Sequence, residues 1–568
     1  MAAAAAAKAF DVIVLGGGHN GLVAAAYLSR AGKRVVVVER RAILGGAAVT
    51  EEIIPGFKFS RASYVYSLFR PQIVKDLDLH RHGLTLLPRV PSSFTPAPGA
   101  GAKSLLLGGT AEEDEREIAQ FSPADAAKYR EYNAWLEKYC AVMRPLLDRA
   151  PPDPGALWPP PPPLLSTRLA HSRWWRNLQD ALFLGSSLAS LGPLLPGFIE
   201  LLTAPASKLL SKWFSTDSEM LKTTLATDAV VGAMVSPSSP GSAYVLLHHV
   251  MCGTWFSVRG GMGALSQAVA SAAGEAGAVL RTGVAVRRIL VEGTTTCASV
   301  AGVELEDGSV LHAPVVLSTA APSLTLGALL DDQARSALPP ALRDSMRVLN
   351  TSSGSVKINL ALKALPNFRC RPTPGDGSAA APWHRGTIHF ETNMEQLEAA
   401  FRDAQGGRCS ARPMVEMTLP SVLDDSLAPP GMHVCLLFVQ YAPYAPLDLG
   451  PQGWDTPGAR EAFAERVYSV IEEYCPGFRA SIVGQDILTP LDLERIFSLV
   501  SGNISHAAMG LDQILWLRPA PGAARYAVPG IAGLYLAGAG SHPGGGVMGA
   551  AGKNAAAMAL ADMQGKGS

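Results

Sequence analysis

Short, wholly apolar runs followed by Ala-rich stretches recur at both ends of the chain and set the reading of what lies between. Val12 to Leu15 passes directly into Gly16-Gly17-Gly18 and then into an Ala-rich stretch, 19–30. This pattern predicts a buried parallel strand, a glycine turn and a helix. A second predicted strand, Arg34 followed by four valines over 34–38, ends in Glu39. From 279 to 290 the pattern alternates, and with 300–305, the turn Asp307-Gly308 and 310–311 it predicts an antiparallel meander that returns to a buried strand at 315–318. Near the C-terminus, Leu534-Tyr535-Leu536 enters a turn with six glycines between 538 and 549, then a helix expected to start near Gly546.

The intervening regions have a different periodicity. Helical spacing covers 112–121 and 123–144, divided by Ser122-Pro123, a cap followed by a first-turn proline. Prolines at 151–154 and 159–163 predict extended connections. Helices are expected at 394–404 and 459–474, strands at 355–362 and 434–440. A chain that leaves the first pattern and returns to it predicts two discontinuous domains. One is assigned to 8–70, 251–329 and 481–566, the other to 71–250 and 330–480. The fold class is α/β: a Rossmann-like dinucleotide-binding domain with an α+β substrate or cap domain.

The 568 residues carry 48 Lys+Arg against 48 Asp+Glu, and this balance gives no footing for nucleic acid. Seven cysteines stand singly, with no C-x-x-C and no zinc spacing, so a redox pair and a structural metal are both unexpected. Two uncharged runs, 181–199 and 229–258, contain prolines, which argues against spanning helices and for buried or cap helices; contact with a membrane surface stays open. They lead us to expect an apolar substrate, admitted through 71–250 into a cavity partly walled by both runs and poor in charge.

Gly16, Gly18 and Gly21 form G-x-G-x-x-G between strand and helix. The first makes the tight turn, the second admits a pyrophosphate, and the third lets helix and strand pack closely. Glu39, 18 residues beyond Gly21, is placed to accept from ribose hydroxyls. The pair Gly45-Gly46 lets a second backbone segment pass close to this loop. His19 lies in the pyrophosphate loop. His542, inside the C-terminal glycine turn, is the first candidate for a polar group at a reacting centre, with capping of the turn as the alternative. His248 and His249 are adjacent and read as structural. No nucleophile–base pair or metal cluster is legible.

The segments 16–39, 45–50, 260–263, 282–289, 489–494, 502–503 and 534–555 together resemble the phytoene desaturase-like branch of the flavin amine-oxidase and carotenoid-desaturase superfamily. The resemblance runs essentially end to end, although Ala47-Ala48 replace the Arg that amine oxidases of the superfamily usually carry after the paired glycine. It implies FAD, which we expect to be held non-covalently because no Cys or His stands in an identifiable flavin-linkage motif. Gly16, Gly18, His19, Asn20 and Gly21 would hold the pyrophosphate, with Gly45 and Gly46 alongside. Glu39 and Arg40 would hold the adenosine ribose and Val286 the adenine. Gly538, Gly540, Gly545, Gly546, Val547 and Met548 would lie along the ribityl and flavin end, and Thr489 would shape the flavin pocket. It further implies an oxidoreductase moving hydride from an isoprenoid- or lipid-like substrate to flavin N5, placed in the mitochondrial matrix with a respiratory-chain partner. The alternatives are a cytoplasmic location, and a flavoprotein acting mainly through partners or a membrane surface with little turnover.

Overall fold

The computed structural model describes residues 10–158, 168–251, 253, 255–295, 297–375 and 379–566; the N-terminal segment, the proline run 159–163 and Cys252 lie outside them. Five parallel strands build the nucleotide-type sheet in the order Leu534–Leu536, Val316–Ser318, Val12–Leu15, Val35–Val38, Val279–Arg281. Both faces are covered, as a parallel sheet requires. Val12 and Val14 pack under the helix His19–Arg30, while Ile13, Val36 and Val38 face the opposite core. The helices Met262–Glu275 and Ala550–Lys566 flank His19–Arg30.

Two elements differ from the sequence reading. Val279–Arg281 is the outer strand of the main sheet, paired with Val35–Val38, so the meander comprises only Val286–Thr294, Cys297–Leu305 and Val310–His312. Gly283, at φ +69°, turns the chain out of one sheet into the other, a break that alternation alone does not reveal. The last helix begins at Ala550, not near Gly546, because the left-handed backbone at Gly544, Gly546 and Gly549 keeps the turn irregular to its end.

The second layer is a seven-stranded sheet in the order Ile482–Leu488, Val356–Leu362, His433–Gln440, Met414–Thr418, Thr387–His389, Ser93–Thr95, Leu105–Leu107. The chain therefore leaves this sheet only after Leu488. Helices between Pro123 and Val250 cover part of it and share an aromatic core in which Tyr132, Trp135, Tyr139, Trp213 and Phe214 meet edge to face or tilted. The break between the preceding helix Ala111–Ala119 and the first of these, Pro123–Leu147, is fixed by Ser122, whose Oγ accepts from the Asp125 N–H at 3.2 Å.

Register across the large sheet places Lys357 opposite Phe438, Phe438 opposite Glu416, and Glu416 opposite His389. Residues directly opposite share a face, so a polar row crosses four strands in the interior. Among the described residues no single helix is long and apolar enough to cross a membrane; the pair Ser172–Ser190 and Gly192–Thr203 reaches that composition only together, bent by 91°.

Candidate functional site

A cavity of about 420 Å³ begins at the glycine turn of the first sheet and ends against the large sheet. At its first end the Gly18 and Gly46 backbones run side by side: a Cβ built on Gly18 would lie 3.8 Å from Gly46 Cα, and the Gly45 N–H donates to Gly17 O at 2.8 Å. Gly45 itself is packed behind this contact rather than in the cavity wall. A Cβ on Gly21 would lie 2.1 Å from Gly16 O, so this glycine serves the packing of helix on strand. The helix following the turn starts its ladder with the Leu22 N–H to Gly18 O, leaving the N–H groups of His19, Asn20 and Gly21 outside it, at its positive end.

Glu39 closes this end. Its Oε2 accepts from the Gly17 N–H and its Oε1 from the Arg41 N–H, each at 2.8 Å, and the carboxylate still lines the cavity. Arg40 lines the same wall and donates to the Arg495 and Ile496 carbonyls. Arg41 pairs with Glu51 at 2.8 Å, and its guanidinium lies 4.9 Å from the centre of the Phe497 ring. Val286 lines the cavity beside Val284 and Ala285.

The C-terminal turn contributes Ala539, Gly546 and Val547 to the wall. Gly538, Gly540 and Gly545 instead press against protein: Cβ atoms there would lie 2.3 Å from Thr319 O, 2.3 Å from Pro322 Cδ and 2.0 Å from Ser505 Oγ. Met548 packs with Leu68 and Ala550, and its carbonyl accepts from the Arg70 N–H. Thr489 caps the helix Pro490–Phe497 in a reciprocal pair with Asp492, away from the cavity wall.

His542 is not among the residues that line the cavity. Its ring is buried, Nε2 meets Leu146 O at 3.0 Å, and its carbonyl accepts from the Tyr526 hydroxyl; burial pushes the imidazole down to about 4. The turn faces the helical layer here, and the capping alternative describes its role. His248 is likewise buried, with Nε2 3.1 Å from Gly545 O, whereas His249 lines the cavity. Of the histidines that line the cavity, His19 at Nε2 and His506 at Nδ1 retain a buried ring nitrogen without a partner. The sequence reading missed His506, which follows the Gly502-Asn503 segment.

The far end is built by the large sheet. Lys357, Tyr64 and Phe438 line it together with Val356, Val231 and Trp255. Tyr64 and Phe438 stack with centroids 5.8 Å apart. Lys357 is 2 % exposed and donates to Asn359 Oδ1 at 2.5 Å; burial lowers its ammonium to about 7. Behind Tyr64 lies Glu416, which accepts the Tyr64 hydroxyl at 2.7 Å and is raised by burial to about 7. Of the two uncharged runs, 229–258 supplies Val231, His249 and Trp255, but 181–199 supplies no wall residue; Leu182 and Ile199 face outward. Lys357 was also missed: in the apolar strand it reads as a single interruption.

The residues fit a dinucleotide cofactor. A backbone without side chains at Gly18 and Gly46, free N–H groups at a helix start, a ribose-type carboxylate and unpartnered polar atoms on His19, Asn20 and His506 all face one cavity. The described cysteines are all free, and no cluster of metal-ligating side chains occurs among the described residues.

Residues 14–77 match the family model of the NAD(P)-binding Rossmann-like domain. Across 533 residues the chain is 48 % identical to the rat pyridine nucleotide-disulfide oxidoreductase domain-containing protein 2, covering 91 % of this chain and 87 % of that one. It is 26 % identical to a lycopene-forming phytoene desaturase of a Paracoccus strain over 490 residues, 84 % of this chain and 83 % of the relative. In fold it is similar to a putrescine oxidase variant, with a TM-score of 0.57, 16 % identity, and 98 % and 99 % of the two chains covered.

Proposed function

The chain belongs to the family of pyridine nucleotide-disulfide oxidoreductase domain-containing protein 2, oxidoreductases of the FAD-binding amine-oxidase and desaturase superfamily, and on that premise we propose that it oxidises an apolar substrate with FAD. The observation that carries this reading is the single cavity joining the Gly16–Gly18 turn to Lys357 and Tyr64.

FAD, when bound, supplies a hydride acceptor. The chain's own residues do the rest. Val231, Trp255, Val356 and Phe438 would hold an isoprenoid- or lipid-like body and exclude water, in keeping with the phytoene desaturase relatives. Removing hydride and proton from adjacent carbons needs a base, and Lys357 Nζ is suited to it: a buried amine lowered to about 7 is partly neutral at physiological pH. Dithiol–disulfide exchange finds no support, because the sequence has no C-x-x-C.

The test is anaerobic. Purified protein should be yellow and release all its colour on acid precipitation, and an isoprenoid or lipid extract should bleach the bound flavin. Colourless protein that fails to take up added FAD would overturn the reading. A bound flavin that no extract bleaches, in protein holding a stable partner, would favour the role through partners. Residence in the mitochondrial matrix with a respiratory-chain partner is part of the same proposal and rests on the resemblance, with which the short, weakly basic, acid-free stretch before Asp11 is compatible without adding weight; fractionation showing the protein only in cytosol would remove it.

A further inference from the structure

Resting on the FAD reading, we propose that His506 and His19, together with the start of the helix His19–Arg30, form a proton-gated clamp on the cofactor's pyrophosphate. Both rings line the cavity where the helix presents its free N–H groups, and each keeps a buried nitrogen without a partner. Asn20, 6 % exposed, adds an unpartnered Oδ1 to the same wall. Buried polar atoms are rarely left unpaired, and three around one helix start call for a ligand that hydrogen-bonds. The Gly546 backbone favours the protonated form of His19, and a protonated ring would offer its unpartnered Nε2 as a donor.

Burial presses both rings down to about 4, and Arg518, behind His506, adds to the effect there, as does His19. Arg518 spends its own N–H groups on carbonyls, reaching Ser505 O at 2.6 Å, Ala539 O at 2.9 Å and Ala508 O at 3.1 Å, while Tyr244 and Asp512 act on its charge without a hydrogen bond to it. Glu39, Arg40, Arg41 and Glu306 are the other charged groups of the wall towards the nucleotide end, and Lys357, Tyr64 and His249 are its titratable groups at the other. A pyrophosphate carries charge throughout the neutral range. Its entry reverses the local balance and raises both imidazoles, so binding takes up protons and tightens as pH falls.

ADP-ribose is the probe, since it carries the pyrophosphate without the flavin and does not itself titrate between about pH 6 and 8. Wild-type protein stripped of cofactor should bind it about 10-fold tighter at pH 6 than at pH 8, with net proton uptake by calorimetry. His506→Asn suits the left-handed backbone at that position, φ +63°, and His19→Gln keeps the helix start. Each should shallow the pH slope, and the double variant should be flat, with melting at pH 8 like that of wild type. A double variant that melts early is replaced in the test by the two single variants. An unchanged slope in the variants, or no slope in wild type that binds FAD, overturns the clamp alone. Wild type that binds neither FAD nor ADP-ribose overturns the cofactor reading as well.

Discussion

The Lys357 ammonium lies 5.7 Å from the centre of the Tyr64 ring, at the end of the cavity remote from the glycine turn. This cation–π contact and one hydrogen bond to Asn359 replace the water that a lysine ordinarily holds. The native amine therefore gives up its proton near pH 7, while the unfolded one keeps it to about 10.5. Over that window the unfolded chain binds more protons, so this residue's contribution to stability rises with pH. Lys357→Met should melt above wild type at pH 7, with the gap closing towards pH 10. The spectrum of bound flavin should shift through about pH 7 in wild type and stay constant in the variant. A wild-type spectrum indifferent to pH would separate Lys357 from the flavin.

Glu416 shows the opposite sign. Its native carboxyl is raised to about 7 from 4.5, so the stability it confers is complete below pH 4.5 and is lost as pH rises through 7. Glu416→Gln retains an acceptor for the Tyr64 hydroxyl without the charge. We expect the variant to match wild type at pH 4.5 and to exceed it at pH 8, by on the order of 3 kcal/mol as an upper bound. Denaturant melts at the two pH values measure this, and equal differences at both would contradict it.

Gly18 and Gly21 belong to one motif yet fail differently when substituted. Gly18→Ala meets only ordinary contact with Gly46, so the empty protein should melt like wild type while FAD and ADP-ribose binding falls steeply. Gly21→Ala drives a methyl into Gly16 O and should lower the melting temperature whether or not ligand is present. Identical behaviour of the two variants would refute this division of roles.

Glu39→Ala removes both a ribose acceptor and the partner of two backbone N–H groups. A hydrogen bond to a charged acceptor is worth roughly 1.5–3 kcal/mol, or on the order of 10–150-fold in affinity. FAD retention on dialysis should fall accordingly with the fold preserved, and unchanged retention would remove Glu39 from the ribose.

Local patterns made the first strand, its turn and the helix behind it legible, because Val12–Leu15, the three glycines and the Ala-rich stretch each point to the same structure. The helix Ala459–Tyr474 was legible to the residue for a similar reason. Pairing partners were less accessible: Val279–Arg281 joins Val35–Val38 across more than 240 residues, beyond the reach of any local alternation. The far end of the cavity was hidden more deeply. Lys357, Glu416 and His389 come from separate strands, and only register brings them to one face. His542 misled because a histidine amid glycines marks the turn without indicating which side of it faces the cavity.

The order of the parallel sheet also constrains how this protein is made. Val12–Leu15 is made long before its neighbour Val316–Ser318, and the edge Leu534–Leu536 follows later still. During synthesis Val12–Leu15 can pair only with Val35–Val38 until Val279–Arg281 and Val316–Ser318 are made, and Val-rich edges stand open in the meantime. The cavity wall draws on residues from Gly16 to Val547, so the site closes only once Val547 has been made, and a chain terminated before it lacks part of that wall.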